Sequence, residues 1–441
     1  MVASTRPARY VPKVLRTNRD FRYAFAGDLL SSLGAAMSMI AFPLLVLALG
    51  GSAIQAGAIA TIALVTRLAL RLPAGYLVDR TNRRSVMLAT DLVRAVALAS
   101  IPLVGVLGQI SYPHLVAIAL VEGIASAVFV PASFVLTRDI LTERQVADGL
   151  GLSQGSQATV SLLGPAIGGA LYGVDPLLPF AADAASYVCS AVLIWQIARP
   201  PTPHARAARD ADRMGDGLRW LARQRSLLTI LAFAAAINLV GAALDVLVVL
   251  VLRAQGVSSS YIGVALSCAG LGAIVGALLA PRFSQRLRVS ALLLGISGGW
   301  SVALVAFAAV SSTWFVAAVL VVLMVLSPAA GVVVGHAMIT ATPRDLLGRV
   351  SAASTVLLSG LSALGPLFAG ALFTAAGRTG SWLVLAAVTI VATLVCWRPL
   401  RAIGQIASAV GPADAVAGGD GPPDGPRGAT LDLVAHWDKN G

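Results

Sequence analysis

Apolar runs of about 20 residues, separated by short polar islands, recur through the first 400 residues of this chain. Each run is long enough to cross a hydrocarbon core as a helix. Their breaks predict twelve spans. Six fall in the first half, at about 22–49, 55–78, 85–107, 113–137, 149–172 and 176–198. Six more follow at about 227–252, 259–281, 289–310, 314–340, 346–374 and 379–398. The pattern predicts an all-α membrane protein. A 1–21 arm precedes the first six-helix half, a 199–226 linker joins it to the second, and a 399–441 tail follows.

Composition agrees: 57% of residues are hydrophobic, 12% are charged and the mean hydropathy is +0.84. The net charge of +12 does not describe a nucleic-acid-binding surface, because the basic residues sit in loops between spans. With the N-terminus placed in the cytoplasm, one face receives Arg6, Arg9, Lys13, Arg16, Arg19 and Arg22. It also receives Arg80, Arg83, Arg84, Arg138 and Arg144, seven arginines of the linker, and Arg282, Arg286, Arg288, Arg344, Arg349, Arg398 and Arg401. The opposite face receives Arg253 and Arg378. That asymmetry predicts cytoplasmic termini in a plasma-membrane protein. Trp195, Trp314, Trp382 and Trp397 fall near span ends, as interfacial anchors do, and Cys189, Cys268 and Cys396 read as small core residues. The polar, basic first 20 residues lack the apolar core of a signal peptide. Gly, Pro and Asp dominate the tail from about Gly411, which predicts disorder there.

The chain repeats at half-length. Thr137-Arg138-Asp139-Ile-Leu is echoed by Pro343-Arg344-Asp345-Leu-Leu, and Gly164-Pro165-Ala-Ile-Gly168-Gly169-Ala-Leu by Gly365-Pro366-Leu-Phe-Ala369-Gly370-Ala-Leu. Parallel repeats of this kind predict two pseudo-symmetric halves. Within the linker, 217–225 has the pattern of a short amphipathic helix lying on the inner leaflet.

Between spans 2 and 3 stands Gly75-Tyr-Leu77-Val-Asp79-Arg80-Thr-Asn82-Arg83-Arg84. It resembles the helix 2–3 loop of the major facilitator superfamily, Gly-x-Leu-Ala-Asp-Arg-x-Gly-Arg-Arg/Lys. Asn82 replaces a glycine, and asparagine is the next-best residue for a left-handed turn. The resemblance implies a gate loop in which Asp79 accepts backbone N–H groups at the start of helix 11, near Asp345–Val350, with Arg80, Arg83 and Arg84 around it. A carboxylate at a helix N-terminus is favoured there by free amides and the dipole. The plainer reading of the loop is a positive-inside anchor. The corresponding 280–288 segment keeps the charge and loses the acid.

Span 5 carries Gly151, Gly164, Pro165, Gly168 and Gly169, similar to the antiporter motif Gly-x8-Gly-x3-Gly-Pro-x2-Gly-Gly of exporters in that superfamily, with Val160 at its middle glycine. Small residues let helices approach closely, and the proline frees a backbone carbonyl, so bending or simple packing both explain them. Ionisable residues inside spans are functional candidates by default. Helices 1, 4, 7 and 10 line the cavity in the superfamily, and here they hold Asp28, Glu122, Asp245 and His336. Glu122, then Asp28 and Asp245, are candidates for proton coupling, while Arg67 and His336 are candidates for the substrate cavity. Each has a structural reading too, as a hydrogen-bonded or wetted residue. Arg71 on span 2 is expected to pair with Asp91 on span 3, leaving Arg67 to meet an anionic substrate group, Glu122 or Asp28.

No phosphate-binding Gly-x4-Gly-Lys-Ser/Thr sequence, metal-ligand spacing or catalytic constellation is present, which points to a non-enzyme using neither ATP, cofactor nor metal. Pro73 to Asp79, Asp91-Leu-Val-Arg94 and the span 5 motif most resemble the macrolide-efflux and enterobactin-exporter branch, of drug:proton antiporter type. The resemblance implies a monomeric secondary transporter that exports small amphipathic compounds against protons. Alternatives at this stage are a dedicated siderophore or natural-product exporter, an uptake symporter, and a non-transporting sensor or lipid scramblase.

Overall fold

The computed structural model describes residues 13–198, 214–286, 289–310, 312–343 and 346–409. Most of the N-terminal arm, the linker over 199–213, Arg288, Arg344, Asp345 and the tail beyond 409 lie outside the described residues. So do the side chains of Arg282, Arg286 and His336.

All regular elements among the described residues are helical. After the short α1 (Lys13–Thr17), the first six passes are α2 (Arg19–Ala48), α3 with α4 (Ala53–Ala69 and Arg71–Arg80), α5 (Arg83–Val106), α6 (Tyr112–Ile140), α7 (Val146–Val174) and α8 (Leu178–Trp195). The linker contributes α9 (Met214–Arg223). Then come α10 (Arg225–Ala254), α11 (Ser259–Arg286), α12 (Val289–Ala309), α13 (Thr313–Ala341), α14 (Leu347–Ala363) and α15 (Gly365–Ala409). By length and apolarity alone, eight helices among the described residues can cross a membrane, or nine with the bent pair α3–α4. One of the eight, Arg349–Trp397, is 49 residues long, more than twice what one crossing needs. Gly377 breaks it at φ 62°, a left-handed value that favours glycine, and so separates two passes. The 29-residue α7 and α13 do not meet that test, though both are long enough to cross, so the described helices leave room for the twelve expected passes.

Prolines explain two further breaks. Pro73 cannot donate to the Ala69 carbonyl and its ring crowds it, so α3 and α4 meet at Leu70 with a 57° bend. Pro366 follows the break at Leu364. The corresponding Gly164-Pro165 sits inside an unbroken α7.

The internal repeat is visible in geometry. At the end of α2, Gly50 N–H donates to Leu47 O and Gly51 N–H to Val46 O. At the end of α10, Gly256 donates to Arg253 O and Val257 to Leu252 O. Gly50 and Gly256 both have positive φ, the glycine-dependent helix ending. A Cβ on Gly164 would strike Ala36 of α2, and one on Gly365 would lie 2.7 Å from Ala242 of α10.

Contacts group the chain into two compact units. One holds α1–α8 together with Val248–Gly270; the other holds α9, the start of α10 to Leu247, and the chain from Leu271. In the first, α2 packs on α8, α7 and α3, α5 on α8 and α6, and α3 on α6. In the second, α12 packs on α15 and α13, and α14 on α9.

Several local expectations change. Within α9, Leu221 is buried with Leu227, Leu231, Val350 and Ala353, so this helix docks on α14. Trp382 is no interfacial anchor but is buried at 1% exposure, its ring 5.1 Å from that of Phe307. Cys189 is exposed rather than part of the core, because a lipid-facing surface is as apolar as an interior. Asn82 is not left-handed either. At φ −72° it caps α5, its Oδ1 accepting from Arg84 N–H at 3.1 Å and Ser85 N–H at 3.3 Å. Asn82→Ala is expected to cost about 1 kcal/mol, and Asn82→Gly only a few tenths, in denaturant titrations of the purified protein. A gain from glycine would instead indicate a left-handed turn.

Candidate functional site

The gate-loop residues surround the junction of α4 and α5. Asn82 starts α5, which fixes the direction of the next two arginines. Arg83 forms an ion pair with Asp139 of α6 at 2.6 Å. Arg84 donates to the carbonyls of Ile194, at 3.2 Å, and Trp195. These carbonyls end α8, where a cation is favoured by the helix dipole. Arg80 lies 4.0 Å from the centre of the Tyr76 ring. Two of the three arginines therefore tie α5 to α6 and α8 over a core of Val78, Met87, Leu136 and Ile194. Asp79 is half-buried and has no hydrogen bond or ion pair among the described residues. No atom lies within 4 Å of where a Cβ on Gly75 would sit, so that glycine is not demanded by packing.

Deeper in the same unit is a buried polar cluster. On α5, Asp91 and Arg94 are three residues apart and share a face. On α8, Asp183, Ser186, Tyr187 and Ser190 follow the same helical spacing. On α2, Gly27 and Gly34 present bare backbone to that stripe: a Cβ on Gly27 would lie 3.2 Å from Ser190 Oγ, and one on Gly34 would collide with Ser186 and the Asp183 carboxylate. The small residues let α2 approach closely enough to seal the cluster.

Arg94 is central to it. Its Nε lies 3.7 Å from Glu122 Oε2, with side-chain exposures of 7% and 18%. Its guanidinium sits 5.1 Å from the Tyr187 ring centre and 5.4 Å from that of Phe129. Tyr187 Oη donates to Glu122 Oε2 at 3.5 Å, a long bond. Asp91, Glu122 and Asp183 all act on Arg94 electrostatically. Asp91 and Asp183 are 0% and 1% exposed. Neither oxygen of Asp91 has a hydrogen-bond partner among the described residues, and Glu122 Oε1 has none either. Asp183 accepts from Ser186 Oγ at 3.4 Å.

Of the expected coupling candidates, the structure brings Glu122 into this cluster, and Asp28, half-buried beside Ser133, to its edge near Asp91. Asp245 belongs to the other unit, where it is exposed. His336 is placed on α13 only by its backbone. The expected Arg71–Asp91 ion pair does not form. Arg71 is exposed, whereas Asp91 is fully buried and feels the charge of Arg94, one turn along its own helix. Arg67 is also exposed and pairs with neither Glu122 nor Asp28; the charges acting on it are Arg71 and Arg94, both of its own sign. Sequence reasoning missed Asp183, Tyr187 and the central place of Arg94. The signal was present, as Asp183 is an acid inside span 6, but span 6 is not a cavity-lining helix of the family.

The span 5 glycines are packing residues. Beyond the Gly164 contact with Ala36, a Cβ on Gly168 would lie 2.7 Å from Met37 O. One on Gly169 would strike Ser259 O and lie 2.9 Å from the Gly263 Cα, and one on Gly263 would strike Pro165 O. One face of α7 thus meets α2 and another meets α11, backbone against backbone. Gly151 has open space around it, so the motif's first glycine does not share that role.

The comparisons with known proteins agree with this architecture. The chain is 29% identical over 396 residues to the multidrug efflux pump Tap of Mycobacterium tuberculosis, covering 84% of this chain and 91% of Tap. It is 27% identical over 385 residues to that of Mycolicibacterium fortuitum, covering 81% and 90%. Among solved structures, the nucleoside transporter NupG superposes with a TM-score of 0.68 at 13% identity, covering 87% and 99%. An inward-facing bacterial homologue of the lysosomal transporter Spinster gives 0.69 at 15%, covering 87% and 96%; likenesses this remote speak to the fold. The family model described as transmembrane secretion effector matches residues 14–414, nearly the whole described chain, and so the protein belongs to that family of major facilitator transporters.

Proposed function

We propose that this protein is a secondary active transporter that exports small amphipathic compounds, drugs or antibiotics among them, in exchange for protons. Export is supported by the relatives named as multidrug efflux pumps and by the glycine-proline face of α7. Proton exchange is supported by the single observation that carries the reading: the buried Glu122–Arg94 pair with Tyr187, held among α5, α6 and α8. A carboxylate that is paired, half-sealed and left with one unsatisfied oxygen is suited to take and give up a proton as its surroundings change. In this reading the two six-helix halves, 22–198 and 227–398, alternate access to a site near the membrane midplane, and the protein works as a monomer with both termini in the cytoplasm. Asp28 and Asp245 assist in coupling, and Arg67 and His336 line the route of the substrate.

Asp79 acts as the inner gate. This role is supported by its half-buried carboxylate, which has no partner among the described residues, whereas Arg83 and Arg84 are already engaged.

The test is dye and antibiotic movement in proteoliposomes with and without an imposed pH gradient. Wild type is expected to accumulate at least one compound of an amphipathic panel only when the gradient is present. Glu122→Gln is expected to lower gradient-driven transport at least tenfold while leaving binding measurable, and Asp79→Asn to lower it without loss of membrane insertion. Gradient-dependent transport at the wild-type rate in Glu122→Gln would remove Glu122 from coupling.

A further inference from the structure

The cluster holds more acid than base. Asp91 of α5, Glu122 of α6 and Asp183 of α8 converge on the guanidinium of Arg94. The other titratable or charged groups facing it are Tyr187 of α8, Asp28 of α2 near Asp91, and Arg67 of α3, exposed at the margin. Arg94 offsets one carboxylate, and Glu122 is the one within ion-pair distance. That leaves Asp91 and Asp183 as the two most deeply buried acids, neither with an ion pair among the described residues.

No group of residues suited to a metal ion occurs among the described residues, and on the α2 side Asp183 is packed so closely that a Cβ at Gly34 would strike its carboxylate. Two uncompensated carboxylates inside a membrane protein are costly, and a bound proton is the remaining way to neutralise each. Beyond Arg94, both acids lie among small hydroxyl residues rather than cations: Ser186 and Ser190 are on α8 with Asp183, and neither oxygen of Asp91 is hydrogen-bonded among the described residues.

We propose that Asp91 and Asp183 form a proton-holding pair: the three carboxyls share two protons, and the one that pairs with Arg94 is the one without. When Glu122 takes a proton, Arg94 turns to Asp91 or Asp183, that acid releases its proton, and the charge of the cluster is unchanged. One O–H bond forms and one breaks. The use of this relay in transport rests on the function proposed above; the protonation of the pair does not.

Infrared spectroscopy of the purified chain in lipid nanodiscs reads the C=O stretch of protonated carboxyls, which carboxylates lack. At neutral pH, Asp91→Asn and Asp183→Asn are each expected to remove one of two protonated-carboxyl contributions. Glu122→Gln is expected to remove one as well, although Glu122 is itself ionised, because Arg94 then recruits one of the aspartates. Arg94→Gln is expected to add a third. Unchanged protonated-carboxyl intensity in both aspartate variants would overturn the pair, whatever transport does. Should Asp183→Asn fail to fold, Asp91→Asn and Arg94→Gln still decide the matter. Loss of the bands without any transport defect supports the pair and separates it from the coupling role of Glu122.

Discussion

Arg94→Met is expected to lose about 3–5 kcal/mol of stability at neutral pH and to stop transport. Methionine keeps much of the volume and the apolar contacts with Phe129 and Tyr187, but leaves the acids of the cluster without their cation. The expected loss is larger than for Glu122→Gln, about 1–3 kcal/mol, because Arg94 there keeps Asp91 and Asp183 as neighbours able to replace the lost acid. The Arg94→Met, Glu122→Gln double variant should recover part of the loss, since replacing both partners of a buried pair removes the uncompensated charge. Denaturant titration of the four proteins in mixed micelles measures the coupling. Simple additivity of the two substitutions would mean that the 3.7 Å contact is not an energetic unit.

Gly169→Ala is expected to cost about 1–3 kcal/mol and to lower transport at least tenfold. Two effects oppose each other here. Alanine is the better helix former by about 1 kcal/mol, which favours the substitution. Against this, the new Cβ would strike Ser259 O and stand 2.9 Å from the Gly263 Cα, and backbone cannot rotate away as a side chain can. The clash should win. Gly151, on the same helix with nothing within 4 Å, supplies the control: there propensity acts alone, and Gly151→Ala should be neutral or stabilising by up to about 1 kcal/mol. Equal effects at the two positions would show that packing of α7 on α11 does not limit stability.

The candidate site was legible in part. Glu122 stood out because an acid inside an apolar span has few structural excuses. Its partner did not stand out, because Arg67, Arg71 and Arg94 are all within reach of it in a helical wheel of unknown rotation. Tertiary structure decided among them: Arg67 and Arg71 are exposed, and Arg94 is the one that reaches Glu122. Asp183 lay in view as an acid of span 6, but only the approach of Gly34 and the rotation of α8 show that it faces Arg94. Asn82 was read through its backbone tolerance when its side chain was the working part. Trp382 and Cys189 exchanged places between core and surface for a single reason: in a membrane protein both sides of a helix are apolar, so composition does not report which side is inside.

By itself the sequence determined the all-helical membrane class and the motifs that carry the family resemblance, because these depend on run length, periodicity and local residue identity. Helix rotation and close approach were decided only by tertiary structure. They turned the loop's arginines, Arg83 and Arg84, into ties within one unit, made the span 5 glycines backbone contacts, and set three acids around one arginine. Pairing between distant helices depends on angles of rotation that apolar sequences leave almost free, and packing of small residues fixes them.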